Sequence, residues 1–131
     1  MSSTRWREKG DCMIEPVDLS DKLALFSEPW RPRIVGELND SYVKLARLKG
    51  EFVWHSHARE DELFLVLRGK LKIRLRQKDL EVAEGQFVII PHGVEHMPVA
   101  DEEVQVLLLE PKSTVNTGDV DSERTVPAEW I

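Results

Sequence analysis

All four histidines of the chain lie between positions 55 and 96, where their spacing could build a metal site. His55 and His57 stand two residues apart, so on a strand both imidazoles leave the same face, roughly 6.5–7 Å apart along the backbone. Two imidazoles at that distance can converge on one ion. A strand that returns antiparallel from Glu62 would add a carboxylate, and His96 would reach the same point from a second segment.

Three imidazoles and one carboxylate suit one divalent transition metal ion, which could be Fe, Mn, Ni, Co or Zn. An octahedral ion with these ligands keeps two positions for water, substrate or dioxygen. Three functions stay open. They are a metal-dependent oxygenase or isomerase of a small molecule, a protein that binds or senses a small ligand without turnover, and a storage or structural barrel. The sequence indicates no catalytic residue besides these ligands.

Nearby residues offer alternatives for the site. Glu60 is also acidic, but Glu62 begins an apolar run and is separated from Gly69 by six residues, which favours Glu62 as the ligand. His92 lies on a Pro-His-Gly turn, which favours a residue at the rim over a ligand. A role for His92 beside the metal or in substrate contact stays open.

The two histidine segments closely resemble the paired motifs of the cupin superfamily, G(X)5HXH(X)3,4E(X)6G and G(X)5PXG(X)2H(X)3N. They depart from the motifs twice, because four residues rather than five separate Gly50 from His55, and Ala100 replaces the closing asparagine. The resemblance implies an all-β fold, an antiparallel jelly-roll β-barrel (a double-stranded β-helix). It also places the family's metal ligands on four positions of this chain, which are His55, His57, Glu62 and His96.

The elements that must position these residues follow from hydrophobic periodicity. Residues 33 to 110 alternate with period two or form short apolar runs broken by turn residues, which predicts an antiparallel sandwich or barrel. One short helix is indicated over residues 18–28, with Asp18 as N-cap and Pro29 ending it. The predicted strands are 33–38, 42–49, 51–57, 62–68, 70–76, 80–83, 86–90, 97–99 and 104–110.

The pocket should be largely apolar. Phe64 and Val66 share a face with Glu62, and together with Phe87 and Ile89 they favour an organic ligand over a sugar phosphate. A second set lies on the strand at residues 42–49, where Tyr42, Lys44 and Arg47 either line the mouth and bind an anionic ligand or form an outer face.

The strand that begins at Glu62 is apolar on both faces. Leu63, Leu65 and Leu67 face away from the interior, and Phe52 and Trp54 are expected to point outward as well. A strand that is buried on both faces needs a second cover. Either the terminal segments or another subunit supplies it, and we predict a homodimer.

Composition limits the partners. Acidic residues outnumber basic ones by 24 to 18, a net charge of −6, which disfavours nucleic-acid binding. No apolar run approaches the roughly 20 residues that span a membrane, and residues 1–15 lack the apolar core of a signal peptide. With one cysteine, Cys12, a cytoplasmic protein with a small-molecule ligand is predicted. We expect a loose leader at 1–15, the cupin barrel at 16–112 and a C-terminal tail at 113–131.

Overall fold

The computed structural model describes residues 14–131, within which it has one short helix and eight strands. Cys12 and most of the predicted leader lie outside the described residues. No helix within residues 14–131 has the length and apolar character needed to cross a membrane. The elements are α1 (Leu19–Leu23), β1 (Arg33–Leu38), β2 (Ser41–Glu51), β3 (Glu62–Arg68), β4 (Leu71–Leu75), β5 (Asp79–Val82), β6 (Phe87–Ile90), β7 (His96–Pro111) and β8 (Glu129–Trp130).

The long strand β7 organises the barrel. One of its edges pairs with β2, while the other pairs first with β4 and then with β3. β3 in turn pairs with β6, β4 with β5 and β2 with β1, all antiparallel. This is the jelly-roll β-barrel that the sequence predicts. The short strand β8 adds the end of the chain to β1 in parallel.

The sequence predicts two strands here, 97–99 and 104–110. The break between them is wrong, because Asp101, Glu102 and Glu103 lie inside β7. One edge of β7 pairs with β4 as far as Val99 and with β3 from Gln105 onward, so its partner changes around the acidic residues. The other edge of β7 pairs with β2. The acidic side chains are exposed there. Charge at this point therefore marks a change of partner and not the end of a strand.

The predicted strand at 51–57 is also wrong. β2 ends at Glu51, and only His55 makes an isolated bridge, to His96. Between the pair Glu51↔Val99 and this bridge, three residues lie opposite two of β7, which interrupts the ladder. Beyond the bridge β7 offers no further backbone, because His96 is its first residue. Residues 52–61 therefore run as an irregular segment that is tied to β7 at single points.

The helix is shorter than predicted and ends at Leu23. Its N-cap is Asp18 as predicted, with the carboxylate accepting from the backbone N–H of Asp21 at 3.0 Å. The carbonyls of Leu23 and Phe26 accept hydrogen bonds from the Arg47 guanidinium at 2.7 and 2.9 Å. Arg47 thus donates to carbonyls that would accept backbone hydrogen bonds in a longer helix. These bonds also fasten the segment after α1 to β2.

The core has two parts. Apolar side chains from β2, β3, β4, β6 and β7 fill the interior of the barrel. A second cluster lies outside it, where Leu23 and Phe26 pack over Val35 and Leu45. The segment around α1 therefore covers one part of the outer face of the sheet.

Candidate metal centre

The structure brings together all four residues that the paired motifs indicate. One ligand atom from each of His55, His57, Glu62 and His96 can be chosen so that all lie within 4.8 Å of one another. All four side chains are buried, with exposed fractions of 5% or less. Glu60 and His92 are not part of this cluster.

The first residues of two strands and the irregular segment between β2 and β3 position the cluster. Glu62 is the first residue of β3 and His96 the first of β7. His55 is held against His96 by two backbone hydrogen bonds of 2.9 and 3.0 Å. The carbonyl of His57 accepts from the backbone N–H of Gly93 at 2.7 Å, which ties the irregular segment to the second motif.

Backbone carbonyls orient two of the imidazoles. Nδ1 of His55 lies 2.8 Å from the Val53 carbonyl, and Nδ1 of His96 lies 2.9 Å from the Val94 carbonyl. Since a carbonyl can only accept, each Nδ1 carries a proton, so Nε2 is the nitrogen of each ring that could bind an ion. Such second contacts are typical of histidines that bind metals.

The carboxylate of Glu62 is the centre of the cluster. Its Oε1 lies 3.0 Å from Nε2 of His57 and 3.2 Å from Nε2 of His96. Burial opposes its ionisation, but the imidazoles of His57 and His96 and the neighbouring Glu110 hold the pKa of Glu62 well below its usual range. Glu62 is therefore a carboxylate, which is the form that binds a metal ion.

His55 is neutral at physiological pH. Burial lowers its pKa from 6.5 to about 4, and the neighbouring His96 acts in the same direction. A histidine binds a metal only in its neutral form, so this one needs no deprotonation at pH 7.

A second buried acid and a buried base stand behind Glu62. Glu110 lies beside Glu62 in the register of β7 and β3, and its Oε1 accepts from Lys44 Nζ at 2.8 Å. Burial raises the pKa of Glu110 well above its usual range, the charge of Glu62 raises it further, and Lys44 opposes the rise. Two neighbouring carboxyl groups disfavour each other's ionisation, and the cation of Lys44 offsets part of that cost.

A cavity of about 40 Å³ adjoins the cluster, with room for about three water-sized groups. Its polar lining comes from His55, Glu62, Glu110 and Asn116. The rest of the wall is mostly apolar, and no Lys or Arg is among the described residues that line it. The apolar lining includes Trp30, Ala46, Leu48, Phe52, Phe64 and Leu108.

Phe52 faces this cavity, contrary to the outward position expected from its parity with His55. Its ring stacks on Trp30 at 4.7 Å between centroids and meets His55 edge-on at 5.5 Å. The alternation of a strand does not apply here, because residues 52–61 are irregular. Trp54 is half-buried on the other side, beneath the Arg76 guanidinium at 3.8 Å.

The pocket residues from β3 were predicted correctly and those from β6 were not. Phe64 and Val66 are buried inside the barrel. Phe87 and Ile89 are 62% and 51% exposed on the outer face. Because β6 pairs with β3 in the registers Glu62↔Ile90 and Phe64↔Val88, Ile90 and Val88 are the β6 residues that share the inner face.

The candidates for the mouth divide between the two faces of β2. Lys44 is buried inside, whereas Arg47 lies outside and pairs with Glu103 at 2.8 Å. Tyr42 packs edge-on against Trp130 of β8. At the rim, His92 is exposed and its Nδ1 lies 2.9 Å from Asp61 Oδ1, as expected of a rim residue.

Sequence reasoning missed Trp30 and the tail. Trp30 has a φ of 64° and is held by hydrogen bonds to the Arg47 and Lys49 carbonyls at 2.8 and 2.7 Å. A non-glycine residue in this conformation is uncommon and often marks a functional site. Nothing in the sequence around Trp30 indicates the conformation.

The tail forms a wall of the site. At Gly118 a Cβ atom would lie 2.1 Å from the Ser56 carbonyl oxygen and 3.3 Å from the His55 ring. From the same tail, the Arg124 guanidinium lies over the rings of Trp30 and Phe52 at 5.7 and 5.8 Å. The only sequence signal for this contact is a glycine in a segment rich in Ser, Thr and Asp.

Residues 43–110, just over half of the chain, match the family model described as the cupin domain. The chain belongs to the cupin family. A cupin-2 domain containing protein from Shewanella frigidimarina is 43% identical, with a TM-score of 0.72 over 72% of this chain and 93% of that one. Among curated proteins, the uncharacterized protein YdbB of Bacillus subtilis (strain 168) is 41% identical over 63 residues.

That match covers 47% of this cupin and 56% of the Bacillus protein, so the chain spans little more than half of its curated relative. Hydroquinone 1,2-dioxygenase PnpCD, solved with Cd²⁺ and 4-hydroxybenzonitrile, is a more distant neighbour. It is 17% identical, with a TM-score of 0.60 over 70% of each chain, and at that identity it shares the fold alone.

Proposed function

We propose that this cupin binds one divalent transition metal ion through His55, His57, Glu62 and His96 and acts as an oxygenase on a small organic molecule. The observation that carries the proposal is the buried cluster, whose ligand atoms lie within 4.8 Å of one another beside a mostly apolar cavity. The cluster suits such an ion because Nε2 of His57 and His96 converge on Glu62 while Nδ1 of His96 is already engaged.

A bound ion would supply a Lewis acid with open positions for a substrate oxygen or dioxygen. The chain itself does the rest. Carbonyls hold the imidazoles of His55 and His96, and the stacked rings of Trp30 and Phe52 form part of the apolar wall of the cavity. The neutral His55 and ionised Glu62 are ready to bind a cation at neutral pH.

The lining of the cavity supports an organic substrate over a sugar phosphate. A phosphate is usually bound by Lys, Arg or a helix N-terminus. No cationic side chain is among the described residues that line the cavity, and the wall near Phe64 is hydrocarbon. The isomerase alternative is therefore the weaker of the two. PnpCD, a dioxygenase of the same fold, supports the reaction class only at the level of the fold.

The second candidate is a protein that binds or senses a small ligand without turnover. The observation that favours it is the size of the cavity, about 40 Å³, which admits a ligand of only a few atoms unless Trp30 and Phe52 move.

Elemental analysis tests the metal site. Protein purified without chelator should contain close to one equivalent of a transition metal, and His96→Ala should lose it. His92→Ala is the matched control, because His92 belongs to the same motif segment but lies exposed at the rim. Metal-free wild type after exposure to Fe, Mn, Co, Ni and Zn, or retention of metal by His96→Ala, would contradict the proposal.

Oxygen consumption separates the two functions. The Fe(II)-loaded protein is incubated with panels of small catechols, thiols and diketones, while dissolved oxygen and products are measured. Oxygen uptake that requires His96 and yields a product supports the oxygenase. A shift of the melting temperature without product supports the binder.

We also propose a homodimer that covers the outer face of β6, β3 and β7. Phe87 lies opposite Leu65 of β3, and Ile89 lies opposite Leu63. Each of these pairs continues into a leucine of β7, which gives two adjacent apolar rows. Within residues 14–131, β6 pairs only with β3, so its other edge is open. Two copies related by a twofold axis could pair these edges and bury both apolar rows.

Light scattering at micromolar concentration tests the dimer. The wild type should have twice the mass of the chain, and Phe87→Lys with Ile89→Lys should be monomeric with metal content unchanged. A monomeric wild type would remove this proposal.

A further inference from the structure

Lys44, Glu110 and Glu62 form a row across the inner face of the barrel. Lys44 lies on β2 opposite Leu108 of β7, and Leu109 lies opposite Leu63 of β3. The next residues in that register, Glu110 and Glu62, are therefore neighbours on adjacent strands. All three side chains are buried, with exposed fractions of 3–5%.

Contacts link this row to the metal centre. Lys44 donates to Glu110 at 2.8 Å, Glu110 lies beside Glu62 in the register of β7 and β3, and Glu62 meets His57 and His96 at 3.0 and 3.2 Å. Glu110 and Glu62 also line the same cavity. Neither Lys44 nor Glu110 belongs to the four-residue cluster itself.

We propose that Lys44 and Glu110 are positioning residues that fix the carboxylate of Glu62 toward the metal. This inference rests on the proposed metal site and extends it by two residues outside the cupin motifs. A carboxylate at the end of a flexible side chain needs partners to hold one orientation, and outer partners of this kind typically contribute about 10–100-fold to metal affinity. Lys44 in turn holds Glu110, because an acid buried beside another acid needs a cation.

The alternative is that the pair only fills the barrel. A buried ion pair can often be replaced by apolar residues of similar size at little cost in stability, whereas the loss of one partner leaves an unpaired buried charge. The double substitution therefore distinguishes the two roles, because it preserves packing and removes the contact with Glu62. Single variants are less informative, since each leaves an unpaired buried group that opposes folding.

The test compares wild type with Lys44→Met/Glu110→Leu. Affinity for Co²⁺ is measured by competition with a chelator, and the visible absorption of bound Co²⁺ reports ligand geometry. We expect the double variant to fold, to bind Co²⁺ about 10–100-fold more weakly and to show an altered spectrum. Lys44→Arg, which keeps the charge and the donor, should recover part of the affinity.

The matched control is Arg47→Met/Glu103→Gln. That pair joins the same two strands, β2 and β7, at the same distance of 2.8 Å, but on the outer face. It should lower stability, because Arg47 also fastens the segment around α1, and leave the affinity for Co²⁺ unchanged.

The outcomes separate the two proposals. Wild type that binds no Co²⁺ or any other tested metal removes the proposed function, and this inference with it. Wild type that binds Co²⁺ while the folded Lys44→Met/Glu110→Leu variant binds it equally, with the same spectrum, overturns only the inference. A control pair that weakens binding as much as the interior pair would also overturn it.

Discussion

The interior of this barrel has two regions of opposite character. Around β4 and β5 it is filled with hydrocarbon, and Leu71, Ile73 and Val104 are exposed by 1% or less. Where β3 and β7 begin and end, it contains three histidines, two glutamates and a lysine that are equally buried. One region can be stabilised by packing alone. The other must satisfy every polar group or leave it for a ligand.

The polar region meets this demand in part. Carbonyls take the Nδ1 protons of His55 and His96, Glu62 lies 3.0 and 3.2 Å from the imidazoles of His57 and His96, and Lys44 donates to Glu110. Both ring nitrogens of His57 and Oε2 of Glu110 are exceptions, since they are buried without a hydrogen-bond partner among the described residues. Polar groups so deep in a small barrel reduce the stability that packing provides, and such a cost is typical of functional sites.

Leu71→Ala should have the largest effect and should separate the two regions. Leu71 is fully buried and lies four residues along β4 from Leu75, the partner of His96, a distance of roughly 13 Å. Removing its side chain should lower the free energy of unfolding by about 2–5 kcal/mol. Metal affinity of the folded fraction should not change. Urea unfolding and chelator competition measure the two quantities, and a matching fall in affinity would mean that the regions are coupled.

Acid should destabilise the polar region through His55. In the unfolded chain His55 takes up a proton near pH 6.5, but in the folded protein its pKa is about 4, so between these values the unfolded state binds more protons. The free energy of unfolding of the metal-free protein should therefore fall as pH drops from 6.5 to 4, by up to about 3 kcal/mol from this group. His55→Gln should show a shallower fall in urea titrations at each pH. Parallel curves would contradict the assignment.

Gly118→Ala tests whether the tail supports the polar region. The added Cβ would meet the Ser56 carbonyl at 2.1 Å, and the φ of 59° disfavours any side chain. We expect a loss of about 1–3 kcal/mol together with weaker metal binding, because the segment that carries His55 and His57 must shift. Gly36→Ala is the control, since a Cβ there meets nothing within 4 Å. Equal effects of the two variants on metal affinity would show that the tail does not support the site.

The sequence predicted the ligand cluster because motif spacing is local. His55, His57 and Glu62 lie within eight residues, and His96 within a second short motif, so their meeting needed only the fold that those motifs imply. The bounds of β1 and β3 were likewise predicted from alternation and turn residues alone.

What the sequence did not predict depends on partners far along the chain. Whether residues 51–57 form a strand is decided by where β7 begins, and whether β7 continues past Asp101 is decided by its second partner. The sequence does not decide whether Lys44 lies on the inner or the outer face of the strand, because alternation does not say which face is interior. Its buried acidic partner, Glu110, lies 66 positions away.

Arg76→Met should have the smallest effect and shows what a charge contributes where water reaches it. The guanidinium lies 3.8 Å from the centre of the Trp54 ring and pairs with Glu95 at 3.3 Å, on an exposed surface. Cation–π contacts of this kind contribute about 0.5–1 kcal/mol, and exposed ion pairs often less. Arg74→Met is the control, since that guanidinium lies 5.9 Å from the same ring. Urea unfolding should show a slightly larger loss for Arg76→Met than for Arg74→Met, and neither should change metal affinity. A loss at Arg76 as large as that at Leu71 would mean that the outer face, and not the filled interior, holds the barrel together.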